Sequence, residues 1–189
     1  MAICNSSCAV TLPCPLDAGC EIQTRAGGIK QFAIVKCDVS FDITDEAEWQ
    51  TKLNDGDAML SGIVLGQKPK GTFTKKRISS CSAEAVVGAE KQITFQDYNV
   101  GNNYTANAHC AAYTFWNTIL TNASAYKLAY ITCDNLLYGL INDFQIEIDE
   151  VIEDNNTGST FFDGTILWNQ VQMICPVYVD LSTLSNGSC

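Results

Sequence analysis

His109 beside Cys110 is the one place in this chain where a base type adjoins a nucleophile type, and a thiol activated by imidazole would serve acyl transfer. Adjacent residues on an extended chain point to opposite faces, and no acid is placed to orient the ring. His109 therefore reads as a loop histidine. Glu147, Asp149, Glu150 and Asp154 carry the oxygens that calcium prefers, and strand alternation puts Glu147 and Asp149 on one face. The DxDxDG pattern of a calcium loop does not occur. A solvated or lumen-facing acidic surface is the expectation for Glu147 and Asp149.

Cys4, Cys8, Cys14 and Cys20 would offer four thiolates to zinc, but they lack the paired CxxC knuckles that close most structural zinc sites. They read instead as reduced, buried small side chains, or as disulfides formed once a particle leaves the cell, with zinc as the alternative. Cys4, Cys8 and Cys189, near the two ends, are the first candidates for pairs within or between subunits. Lys75-Lys76-Arg77 would attract phosphate, yet no aromatics interleave with them to form a stacking platform for bases. Sequons at Asn5, Asn103, Asn122, Asn155 and Asn186 are expected to be incidental in a chain rich in Asn, Ser and Thr. There is no phosphate loop and no nucleophile elbow, so the chain is expected not to be an enzyme and to need no cofactor.

The elements that would position these residues must come from one domain, because 189 residues at 47% hydrophobic content can bury one good core. The net charge of −10 is unevenly spread. Five of the eleven basic residues, Lys68, Lys70, Lys75, Lys76 and Arg77, fall in one short stretch, and none follows Lys127. Net acidity disfavours non-specific nucleic-acid binding, which needs basic surface. An acidic half with one basic ribbon suits head-to-tail stacking of identical subunits, or simply a solvated acidic face beside a basic edge strand. No apolar run is long enough to span a bilayer, and Met1 to Asn5 lack the basic and apolar regions of a secretory leader. Synthesis in a cytosol and no membrane partner are expected.

Residues 1–28 read as a Cys-rich arm, since Pro13-Cys14-Pro15 forbids helix and central strand, and 29–189 as the folded domain. Phe32 to Val35 is a buried strand, and Thr44 or Asp45 caps a helix to about Asn54, ended by Asp55-Gly56. Strands are expected at 63–65, 71–80 and 90–98, with Pro69 in a connection and a polar loop at 101–107. A second helix, 113–122, would bury Phe115, Trp116, Ile119 and Leu120. Strands at 126–132 and 136–141 flank the turn Asp134-Asn135, and Phe144, Ile146 and Ile148 alternate with polar neighbours. Residues 161–171 return as a strand, 177–179 add a last one, and Asp163-Gly164 reads as a turn signal. Trp49, Trp116 and Trp168 are assigned to the core. The expected fold is mainly β: an antiparallel β-sandwich or barrel with two short helices and the N-terminal arm.

With these elements in place, the stretch Tyr138 to Phe144, the alternating Ile146 to Ile152, Asp154 to Gly158 and Phe162-Asp163-Gly164-Thr165 resembles structural proteins of tailed phages. In particular it is similar to the β-sandwich proteins of the tail tube and neck, especially in phages of Bacteroidetes, over roughly residues 30–180. The resemblance implies a virion subunit that stacks into homo-oligomeric rings or a tube beside other virion proteins. DNA would pass without specific binding along a lumen lined by Glu147 and Asp149. It also implies that Lys68, Lys70, Lys75, Lys76 and Arg77 grip the adjacent ring, and that residues 1–28, with Cys4, Cys8, Cys14 and Cys20, form an arm that orders on assembly, while Cys189 near the other end stays a candidate for a disulfide or intersubunit pair. The alternatives are a capsid decoration or minor head protein, or a carbohydrate- or receptor-binding β-sandwich using exposed Tyr and Trp.

Overall fold

The computed structural model describes residues 27–77, 79–80, 83–100, 110–154 and 158–184. The 1–26 part of the arm, His109, Cys81, Cys189 and the 101–107 loop lie outside them. The described chain is mainly β. Its order is β1 (Ile29–Lys36), α1 (Glu46–Asn54), β2 (Ala58–Leu60), β3 (Leu65–Gln67), β4 (Thr72–Arg77), β5 (Glu84–Asp97), α2 (Cys110–Asn122), β6 (Tyr126–Thr132), β7 (Leu136–Ile141), β8 (Gln145–Ile152), β9 (Thr160–Asn169) and β10 (Val177–Tyr178). A single 3-10 turn, Ala123–Ala125, joins α2 to β6.

All ten strands join one antiparallel sheet in the order β10-β7-β6-β1-β3-β5-β9-β8, with β2 also on β1 and β4 also on β5. The sheet is not closed into a barrel. Its two halves face each other as in a sandwich, because Phe32 on β1 meets Phe95 on β5 edge-on at 4.9 Å. Tyr130 on β6 likewise lies 6.4 Å from Trp168 on β9. Three-residue β3 is the hydrogen-bonded bridge between the halves, pairing Gly66 with Ile29 on one side and with Phe95 on the other.

The run Phe32-Ala33-Ile34-Val35 is apolar throughout because both faces of β1 are covered. Phe32 and Ile34 enter the core between the halves, while Ala33 and Val35 enter a second cluster behind β1, β6 and β7. Helix α1 seals that second cluster with Trp49 and Leu53. Asp45 caps α1, accepting from the Ala47 and Glu48 amides at 2.8 and 3.4 Å, and the indole of Trp49 donates to the Ile43 carbonyl at 2.9 Å. Helix α2 covers one end of the central core with Trp116 and Ile119.

Several boundaries differ from the sequence expectation. The 63–65 strand is instead Leu65–Gln67, preceded by the unexpected β2. Strand β5 starts at Glu84 rather than 90, and β4 is shorter than 71–80. Leu120 is exposed, off the buried stripe of α2. Asp163-Gly164 is no turn but the middle of β9, where Gly164 pairs with both Phe95 and Ile148. Glycine is required there by contact: an added Cβ would lie 2.4 Å from Phe95 Cζ.

Candidate functional site

Three surfaces gather the residues that the sequence singles out. The first is a two-stranded ribbon. Strand β9 stops pairing with β5 at Glu90, opposite Asn169, while β4 runs on beside β5 from Thr72↔Glu90 to Arg77↔Glu84. All six residues of β4 are exposed, as are Glu84 to Val87. Lys75, Lys76 and Arg77 line the far part of this ribbon, with Arg77 opposite Glu84. Phe73, Val86 and Val87 are exposed on it, 42%, 42% and 50% respectively. A lone hairpin with no apolar face covered is marginal in water, so these side chains are placed where a further surface would stabilise them. Lys70 is exposed in the connection before β4. Lys68 does not join the ribbon; it leans over Trp168 on the body.

The second surface is the outer face of β8 and β9. Glu147 and Asp149 are both exposed, on the face opposite Ile146. Asp163 of β9 stands directly opposite Asp149 and is exposed too, so the acidic face has a third member that was hidden by reading Asp163 as a turn residue. Like charges directly opposite repel, a cost the fold accepts at this face. Glu150 is not a free member, because it accepts from the Tyr113 hydroxyl of α2. Strand β8 is also a sheet edge, where charges discourage uncontrolled strand addition.

The third is a cavity of about 680 Å³ between α2 and the β1–β2 edge, walled by Phe115, Trp116, Ile119, Met59 and Leu60. At one end lies Asp97, 3% exposed, which accepts from Trp116 Nε1 at 2.8 Å and from the Asn99 amide and side chain at 2.9 and 2.6 Å. Elsewhere Cys37, Cys133 and Cys175 are exposed free thiols. Trp49, Trp116 and Trp168 are all buried, as assigned, which leaves a sugar-stacking surface to tyrosines such as Tyr98 and Tyr178. Among the described residues no group of His, Cys, Asp and Glu gathers as a metal site, and no helix is long and apolar enough to cross a membrane.

Compared with protein-family models, with curated proteins and with solved structures, the chain matches none.

Proposed function

We propose that this chain is a non-enzymatic virion subunit that assembles with copies of itself, most directly a tail tube subunit stacked in rings. The observation that carries the reading is the exposed β4–β5 ribbon, basic along β4 and apolar at Phe73, Val86 and Val87. It has the reach and the unsatisfied surface to lie on an adjacent subunit, and its charge is opposite to that of the β8–β9 face. In such a tube Glu147, Asp149 and Asp163 repel DNA phosphates, so the duplex slides rather than sticks. The arm with Cys4, Cys8, Cys14 and Cys20, and Cys189 at the other end, would link neighbours in the finished particle.

Replacing Lys75, Lys76 and Arg77 together by Glu is expected to abolish assembly while leaving the circular dichroism of the body unchanged. Negative-stain electron microscopy of the wild type should show rings or tubes, and the triple variant only small particles. A wild type that stays small and monodisperse, with and without reductant, would sink the reading. The lumen assignment has its own test. Glu147→Lys with Asp149→Lys should permit assembly but retard DNA ejection, and unchanged ejection removes these residues from any lumen.

A further inference from the structure

Strand β5 sends Ala89, Lys91, Ile93, Phe95 and Asp97 toward the interior, so its core row includes a cation. Lys91 is 8% exposed. Its side chain runs past Gly71, where an added Cβ would lie 2.7 Å from Lys91 Cδ and 2.5 Å from the Glu90 carbonyl oxygen. Gly71 is thus the residue that lets the lysine through. The ammonium stands 4.4 Å over the Phe73 ring and opens into a small cleft of about 160 Å³. Lys68 enters the same cleft, its ammonium 5.9 Å from the Trp168 ring. Burial, and then the charge of Lys91, hold Lys68 below the usual lysine range. Among the described residues the ion pairs join Lys36 and Lys52 to Asp57, and neither Lys68 nor Lys91 has a carboxylate.

The rest of the lining offers donors. Gln170 accepts from Trp168 Nε1 at 3.1 Å through its amide oxygen, which leaves its amide N–H groups free to face the cleft. Tyr130, stacked on Tyr138 at 4.8 Å, keeps its hydroxyl proton far above the ordinary tyrosine range because it is buried and because Tyr138 adjoins it. Two ammonium groups, an amide and a phenol with no opposing carboxylate make a site for negative charge. The cleft is smaller than the roughly 300–1,000 Å³ of pockets that hold drug-sized ligands. Lysines act as point charges without the planar fork of arginine, and so suit a compact tetrahedral anion.

We propose that the cleft between Lys68 and Lys91 binds a small oxyanion of the phosphate or sulfate class. This does not rest on the assembly reading. The test is thermal unfolding of the full chain titrated with inorganic phosphate at constant ionic strength set with chloride. Wild type should show a saturable rise in melting temperature, since a ligand bound only by the folded state stabilises it by mass action. Lys91→Met should remove the phosphate dependence and, in phosphate-free buffer, melt higher than wild type, because an unpaired buried charge is gone. Lys68→Met, at an exposed position, should weaken the dependence and keep the fold, and it decides the matter if Lys91→Met does not fold. No saturable rise in wild type, or an equal rise in Lys68→Met, overturns the proposal.

Discussion

Phe95→Ala should lower the free energy of unfolding by about 3–5 kcal/mol, read as a fall in denaturant midpoint with an unchanged slope. Phe95 is 1% exposed at the point where the two halves of the sheet and α2 converge. Its ring meets Phe32 at 4.9 Å and Trp116 at 5.0 Å, so truncation removes both contacts and opens a void that three elements cannot easily close. The ring also lies over Gly164, its own partner across β9. Gly164→Ala should therefore destabilise by about 1–3 kcal/mol through overpacking. Combining it with Phe95→Leu should recover part of that loss, a coupling that a double-mutant cycle measures. Strict additivity would show that the ring and the glycine do not share one space.

Asp97→Ala should cost about 2–3 kcal/mol, because it leaves the buried Trp116 indole N–H without an acceptor. Asn99 is exposed, so its amide groups can turn to water, and most of the loss belongs to Trp116. The indole resonance of Trp116 should move and exchange with solvent faster as α2 loses its anchor to β5. Asp97→Asn keeps the shape but halves the acceptor capacity, and should fall between the two. If Asp97→Ala leaves both the midpoint and the indole resonance unchanged, the carboxylate does not hold the helix.

The hairpin β6–β7 and the strand β8 were legible because their signals are local. Leu136–Ile141 follows Asp134-Asn135 directly, and Asn135 does adopt the left-handed conformation, φ 61°, that such a turn favours. Ile146 and Ile148 alternate with Glu147 and Asp149, and burial follows that period. The start of β5 was not legible, because Glu84 to Val86 pair only with β4, Val87 falls at a register shift, and none of them covers core; without a buried face there is no alternation to read. Asp163-Gly164 has the composition of a turn, and only the ring of a residue on another strand explains a glycine there. Lys91 occupies a core position that its type does not suggest, since the room it needs is made by Gly71, just before the neighbouring strand β4. The basic stretch was visible as charge, but its division between a free ribbon and the cleft at Lys68 depends on where β4 leaves the body.

Strand β1 is apolar on both faces, and on one side its partner β6 is made much later, Phe32 pairing with Tyr130 and Ile34 with Leu128. Its other neighbours, β2, β3 and α1, are synthesised soon after it, which leaves the side toward β6 unpaired. During translation this strand is therefore a sticky, uncovered segment for most of the chain's length, and the central core cannot close until β9 has emerged. Pairings this distant in sequence slow folding and lengthen the exposure to aggregation. Yield in a heterologous host should then respond more to temperature and to chaperone supply than to the stability of the finished fold.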